Sequence, residues 1–437
     1  MLTLYNALLH LLANLLPFLR RIWPKLQSDL LAPRESLLER WQQKANLENA
    51  LWFHVSSVGE LEQVRPVMDA LKKSGHPIYL TYFSNSVPKL VKDWSFVDRA
   101  DYLPLDFPSE MEKLVKILRP KLLVFNRYDL WPNLMQQARQ MGIPLVVVNA
   151  SIPPQGLFGR LSLWIRRPLF FWVDGWTFVD TNAAEQWEPV VYRKVKGLVT
   201  GDPRVDRALE RVEAAMQEGK ARGRLNHWRR KKFCVVAGST WPQDEKVLLE
   251  AWRQLPMEKS LVVVPHEPEP EYLRALEARL RASGLSSVRW TELGEGQPAE
   301  ADVLLVDQRG FLAEIYSVGT AAYVGGGFGR QIHSVVEPAA HGLSVAFGPH
   351  FQRSPEALNL VAAGGASSIR KARDLVQWWS TLEGQRKEQK EEAIRIFLQI
   401  HKGAGQRVAE FLEEGLRENR FRRKESWDRV DLEHQTS

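Results

Sequence analysis

A single cysteine, Cys234, stands in 437 residues. That excludes a disulfide framework and a cysteine-based zinc site. An excess of one charge is nearly absent: 59 Lys and Arg face 52 Asp and Glu, a net +7. This mild balance suits contact with anions, and the short basic runs carry no recognition motif, so nucleic acid is not an expected partner. No short-period repeat is present, which argues against a solenoid. Tyrosine is sparse, with nine residues beside sixteen tryptophans. Tryptophan is a residue of cores and of membrane–water interfaces. What the chain does have is an ordinary globular balance, 44% apolar and 25% charged, which excludes wholesale disorder. At roughly 100–200 residues per domain, its length fits two domains.

Acidic residues are missing from the amino terminus until Asp29. Leu2 to Leu19 are nearly all apolar, interrupted by Thr3, Asn6, His10, Asn14 and Pro17. The first four interruptions are three or four apart, so on a helix they form a narrow polar stripe. At about 1.5 Å per residue the segment reaches about 27 Å, close to the thickness of a thin hydrocarbon core. The stripe favours a helix lying in the interface or a tilted anchor. Trp23, Arg20, Arg21 and Lys25 follow. Positive charge after the apolar run is wrong for a secretory signal and places the body on the cytoplasmic side. Residues 1–28 are therefore expected to be a membrane-anchor helix, its alternative being a helix packed on the body of the protein.

Behind it, short apolar runs alternate with helical patterns. Leu51–Val55, Ile78–Tyr82, Leu122–Phe125 and Leu145–Asn149 read as strands, with amphipathic stretches such as Glu62–Lys73 and Glu110–Leu118 between them. A second series reads Phe233–Ala237, Leu261–Val264, Val303–Val306, Ala321–Val324 and Leu343–Phe347. Such alternation predicts an α/β fold with parallel sheets covered by helices. The expected division is a Rossmann-like domain over 29–200, a connection over 201–232, a second Rossmann-like domain over 233–402, and a closing helix with a basic tail over 403–437. A long charged helix is expected over about Ala372–Ile400. Two such domains facing each other would bind ligands in a cleft at the carboxyl ends of their strands.

Three stretches could carry chemistry. In the first, a strand ends near Val55 and Gly59 and Glu60 open a helix, so Glu60 is placed to act as a general base. Ser57 and Glu60 also match a capping box, in which Glu60 would only satisfy a backbone N–H. The second is Gly238-Ser239-Thr240, between a strand and a helix starting near Asp244, where hydroxyls and N–H groups suit a phosphate or cap a helix. The third is the glycine-rich Gly325–Gly329 with Arg330, His333, Ser334 and Glu337. His333 and Glu337 are four apart, on one face of a helix. With no third ligand and no H-E-x-x-H pattern, a nucleotide's ribose and phosphate are better guests than a metal. G-x-G-x-x-G is absent, which weakens a hydride-transfer reading.

In this order, the pieces resemble the transferases of 3-deoxy-D-manno-octulosonic acid (Kdo) in lipopolysaccharide synthesis. His54 to Glu60 looks like the family's H-x-x-S-V-G-E, whose glutamate is the base. Tyr102 to Asp106 and Leu130 to Asn133 look like Y-x-P-x-D and L-W-P-N, and Gly201 to Asp206 looks like G-N-x-K-x-D. Gly238 to Thr240 looks like the start of S-T-H. His333 to Ala340 looks like H-N-x-x-E-P-A-A, and Gly348 to His350 looks like G-P-H. The likeness covers about Leu51 to Ala366. It implies a GT-B glycosyltransferase fold and inverting transfer of Kdo from CMP-Kdo to a lipid A precursor, at the cytoplasmic face of the bacterial inner membrane. No cofactor or metal is expected beyond the donor substrate. Arg204, Gly238, Ser239, Thr240, Gly326, Gly327, His333, Ser334 and Glu337 would hold the donor. Ser57, Gly59, Arg127 and Asp129 would meet the acceptor. The sequence departs from the family pattern where glutamates are replaced by Arg127 and Asp129, where N-A-R-x-S reads Asn149 to Pro153, at Trp241 in place of the histidine of S-T-H, and at His266 in Pro265–Pro268, where the arginine of P-R-H-P has no clear counterpart. Two alternatives stay open: a GT-B enzyme using another nucleotide sugar, and a non-catalytic membrane-bound homologue.

Overall fold

The computed structural model describes the chain except residues 1, 23–26, 45–46, 93, 155, 192–196, 229–230, 256–257, 295–298, 330 and 422–437. Trp23, Lys25, Arg330 and the basic tail thus lie outside the described residues. The chain forms two compact units, Met1–Arg207 with His401–Ser437, and Ala208–Ile400.

The first unit is built on seven parallel strands: β1 (Leu51–Val55), β2 (Ile78–Tyr82), β3 (Arg99–Tyr102), β4 (Leu122–Asn126), β5 (Leu145–Ala150), β6 (Gly175–Phe178) and β7 (Gly197–Val199). Their order is β3-β2-β1-β4-β5-β6-β7. Strands β1, β2, β4 and β5 are buried along their whole length, as a parallel sheet covered on both faces requires. One face packs Trp52, Phe125 and Val147 with Trp41 and Trp187. The other packs Phe53, Val124 and Val148 with Leu61, Val64 and Met68. The helices that matter here are α1 (Leu2–Ile22), α2 (Leu37–Lys44), α3 (Val58–Lys73), α4 (Pro108–Leu118), α5 (Pro132–Gln140), α6 (Gly156–Phe170) and α7 (Pro203–Glu218).

Among the described residues, no helix is long and apolar enough to cross a membrane. The expected anchor is the helix α1, and its polar stripe turns partly toward the protein. Asn6 accepts a hydrogen bond from Asn133 Nδ2 at 2.7 Å, and the His10 ring lies against Phe107. Tyr5 donates to Asp106 Oδ2 at 3.0 Å. Leu4, Leu8, Leu11, Leu12, Leu15 and Phe18 are left exposed.

The second unit repeats the plan with β8 (Phe233–Thr240), β9 (Lys259–Pro265), β10 (Ser287–Arg289), β11 (Val303–Leu305), β12 (Ala321–Val324), β13 (Ser344–Phe347) and β14 (Ala366–Ser368). The order is β10-β11-β9-β8-β12-β13-β14, all parallel. Its helices include α8 (Pro242–Trp252), α9 (Pro270–Ala282), α10 (Val336–Ala340), α11 (Ala372–Trp379) and α12 (Gly384–His401).

Three expectations change. The long helix over Ala372–Ile400 is two helices, α11 and α12, and Gly384, at φ 58°, opens the second. The expected connection over 201–232 does not stand apart, because the boundary between the units falls inside α7, after Arg207. The closing helix α13 (Ala404–Arg417) belongs to the first unit. Val408, Ala409 and Leu412 are buried with Val64 and Met68 of α3, and Asp206 accepts the backbone N–H groups of Gly403 and Gly405 at 2.6 and 2.8 Å.

Candidate functional site

In the first sheet the strand order reverses between β1 and β4, and in the second between β8 and β12. In open parallel sheets, ligands bind outside the carboxyl ends of the strands at such a reversal. The three glycine-containing stretches singled out in the sequence lie there, one in the first unit and two in the second.

In the first unit, the loop after β1 leads into α3. Ser57 caps this helix, its hydroxyl accepting the Glu60 N–H at 3.3 Å. The Glu60 carboxylate reaches back to the Ser56 N–H at 2.7 Å. The capping role is therefore real, with its glutamate arm on the residue before the cap, and it occupies one carboxylate oxygen, Oε2. Burial raises the Glu60 carboxyl to about 7, and the charge of Asp129 adds to the rise. The Ser56 N–H and Arg127 oppose it. A carboxylate that titrates near neutrality is matched to general-base work. Ser56 links the two acids, since its hydroxyl also donates to Asp129 Oδ2. Trp131 Nε1 donates to the same oxygen at 3.3 Å. The buried His54 ring stands 3.9 Å from Asp129. Burial holds it down to about 4 against the pull of that charge, so the imidazole is neutral.

Arg127 follows β4 in the left-handed region, at φ 58°. Its Nε donates to Gln63 Oε1 at 3.1 Å. Gln63 is fully buried and also accepts from Asn126 Nδ2, while its own amide donates to Asp202. Asn149 Nδ2 donates in turn to Asn126. Amides and charges from β4, β5, α3 and the start of α7 thus form one buried chain. Ser57, Gly59, Glu60, Arg127 and Asp129 are brought to the same end of the sheet. A methyl group on Gly59 would meet nothing within 4 Å, so packing does not demand glycine there.

Arg204, expected at the donor phosphate, belongs to this first-unit network. Its guanidinium pairs with Asp202 through Nε at 3.1 Å and Nη2 at 2.6 Å. Burial alone would raise the Asp202 carboxyl, but Arg204 overcomes it and holds the group down to about 2. The charge expected at the donor phosphate is thus paired with a buried carboxylate.

In the second unit, β8 runs on to Thr240, so Gly238-Ser239-Thr240 forms its end rather than a loop. Thr240 is buried and donates to Glu245 at 3.1 Å. Glu245 also receives Tyr272 and Arg279. The Thr240 hydroxyl is directed inward, which leaves Ser239 as the half-buried hydroxyl of the pair. Ser239, like Arg127, is left-handed, at φ 53°. Non-glycine residues in this sparsely populated region gather at functional sites, and both stand at a strand reversal.

Gly326, at φ 91°, follows β12 and donates to the buried Asp244 at 2.9 Å. A side chain on it would collide with the Gln331 carbonyl. Gly327 lies against Gly348 at the end of β13, so these glycines let neighbouring backbones approach. His333 and Glu337 do not share a helical face, because α10 begins at Val336. His333 instead accepts a hydrogen bond from Trp241 Nε1 at 3.2 Å. Its ring stacks on His266 with centroids 4.2 Å apart, and His266 lies against Trp241 at 5.0 Å. Burial and His266 push His333 down to about 4. Ser334 is exposed, and Glu337 is half-buried 3.5 Å from Arg211. Among the described residues no cluster of His, Cys, Asp and Glu could hold a metal ion. Ser56, Gln63 and Asn126 were missed from the sequence. Gln63, a polar residue between Leu61 and Val64 on the buried face of α3, was the one readable signal.

The model of the 3-deoxy-D-manno-octulosonic-acid transferase (kdotransferase) family matches residues 34–207. The 3-deoxy-D-manno-octulosonic acid transferase of Bordetella pertussis is 27% identical over 409 residues, covering 89% of this chain and 93% of its own. That of Aquifex aeolicus is also 27% identical, over 82% of this chain and 93% of its own. The chain is thus similar to Kdo transferases along most of its length. Its two parallel seven-stranded Rossmann-like sheets are those of the GT-B fold. The fold is shared with UDP-GlcNAc 2-epimerase from Neisseria meningitidis, at a TM-score of 0.61 and 15% identity, over 84% of this chain and all of that one. Several Kdo transferase-like pieces do architectural work here. Asp106 caps α5 through the N–H groups of Asn133 and Leu134, both at 3.0 Å. Asp206 ties down the turn into the closing helix.

Proposed function

We propose that the protein transfers Kdo from CMP-Kdo to a lipid A precursor in lipopolysaccharide core synthesis, by an inverting mechanism with Glu60 as the base. The observation that carries the base assignment is the Glu60 carboxylate at the β1/β4 reversal, with its pKa raised to about 7. It takes a proton from an acceptor hydroxyl. The oxygen forms a bond to the anomeric carbon as the bond to the nucleotide phosphate breaks on the opposite face, and CMP leaves with that electron pair. Ser239 and the backbone at the start of α8, with the dipole of that helix, suit the departing phosphate. Glu337 is assigned to the ribose hydroxyls, and His333 to the sugar or phosphate.

The exposed apolar face of α1 supports attachment to a membrane. The positive charge that follows this run in the sequence is what supports a place at the cytoplasmic face of the inner membrane. The deciding experiment incubates the protein with CMP-Kdo and a lipid A precursor and weighs the lipid. A mass gain of one or more Kdo units supports the reading, and an unchanged lipid overturns it. One observation favours a second reading. Trp241, His266 and His333 stack on one another, and the first two fall where the sequence departs from the family pattern. A different nucleotide sugar would suit such an altered pocket. A donor-hydrolysis panel separates the two, since consumption of a UDP-sugar and neglect of CMP-Kdo would select the second.

A further inference from the structure

The first unit contains a cavity of about 820 Å³ between α1, α6 and the segment that follows β4. That volume falls within the roughly 300–1,000 Å³ of small-molecule sites. Its wall includes Leu4 and Leu8 of α1, Trp164, Ile165 and Leu169 of α6, and Trp131. Leu4 is 78% exposed and Trp164 70% exposed, so large apolar surfaces meet water unless something covers them. Exposed apolar patches of this kind mark binding surfaces. The polarity is placed at particular points. Asp129, which shares Ser56 with Glu60, belongs to the lining, and so does the exposed Arg166 on α6.

We propose that this cavity holds an acyl chain of the lipid acceptor, with the sugar end directed toward Glu60 and an acceptor phosphate met by Arg166. The assignment rests on the lipid-acceptor reading above. An acyl chain matches an apolar wall that runs up to Asp129, the acid that shares Ser56 with Glu60. A phosphate on the same molecule matches the cationic rim. Binding energy from a part of the substrate that does not react would thereby position the hydroxyl that does.

The test uses the full chain and monomeric lipids, so that no bilayer contributes. An acylated glucosamine phosphate carrying bromine on its chain is titrated while tryptophan fluorescence is followed. Saturable quenching is expected, reduced in Trp164→Phe and shifted at least tenfold to higher lipid concentration in Leu8→Glu and Ile165→Glu. Both glutamates replace exposed residues, and thermal unfolding checks that each variant is folded. In parallel, Kdo transfer to acylated and de-acylated forms of a phosphorylated glucosamine disaccharide is compared. The native preference for the acylated form is expected to fall about tenfold in both glutamate variants, through KM. Quenching and preference that survive the substitutions would overturn the proposal. So would variants that lose only flotation with vesicles, which would make the surface a bilayer contact, or only a concentration-dependent dimer, which would make it a self-interface. No transfer to either acceptor, with quenching that the variants weaken, would overturn the Kdo reaction and support the lipid site.

Discussion

The two strand reversals share a backbone plan and differ in what fills it. At β1/β4 the side chains are charged or amide-bearing: Glu60, Asp129, Arg127 and Gln63, joined by Ser56 and Asn126. At β8/β12 they are glycines and stacked rings, with a neutral His333 bonded to Trp241 and stacked on His266. Burial acts on both and yields opposite results. It pushes a carboxyl up toward neutrality, where it can accept a proton, and it pushes imidazole down, where it stays uncharged beside a ligand. One reversal is thus suited to proton transfer and the other to holding a flat or anionic group. A left-handed non-glycine residue, Arg127 or Ser239, marks each.

The division can be broken most severely at Glu60. Glu60→Gln should lower kcat by about 10²–10⁴-fold, the usual worth of a general base, while donor binding measured by calorimetry persists. Loss of donor binding as well would end the division. Arg204→Ala comes next and should act on folding rather than donor affinity. It strands the buried Asp202 carboxylate, for a loss of about 3–5 kcal/mol in denaturant unfolding. A stable variant with raised donor KM would return Arg204 to the donor site. His333→Ala should raise donor KM by roughly tenfold, about one charge-assisted hydrogen bond, and leave the pH profile of kcat in place.

Asp129→Asn sharpens the electrostatics of the first reversal. With Glu60 near 7, kcat/KM should fall as pH drops below that value, because the base becomes protonated. Removing the Asp129 charge lowers the Glu60 value, so this acid limb should move to lower pH in a rate profile. A limb that moves upward or stays would detach it from Glu60. The smallest effect is expected for Gly59→Ala. The fold should hold or gain up to about 1 kcal/mol, from replacing glycine in a helix. Acceptor KM should still rise, because the added methyl enters open space at the proposed acceptor site.

The core strands were legible because parallel strands buried on both faces read as unbroken apolar runs, as in Leu51–Val55 and Leu145–Asn149. Short or edge strands such as Arg99–Tyr102 and Gly197–Val199 lack such runs and were not seen. Glu60 was legible from a strand-to-helix junction, and its capping partner from spacing alone. Gln63 leaves only a faint mark in the sequence, a polar residue on an apolar helix face, and Asp202, Arg127 and Asn126 around it give that mark its meaning. The ion pair of Arg204 was illegible for the same reason: a cation near a motif gives no sign of its buried partner. The tryptophan excess resolves largely into packing. Trp41, Trp52, Trp176, Trp187 and Trp290 are fully buried, while Trp164 stands exposed at the acyl cavity.

By itself, the order of residues determined two parallel α/β halves, the junctions at which their ligand loops begin, and an apolar first helix. These follow from local periodicity and from where glycine and capping residues can stand. Only the tertiary structure decided which charges are committed to one another, that the closing helix returns to α3, that α1 and α6 enclose a common cavity, and that Glu60 is held near neutrality. Each of these depends on burial and on neighbours far apart in the chain. The free energy of a charge is set by its surroundings in space.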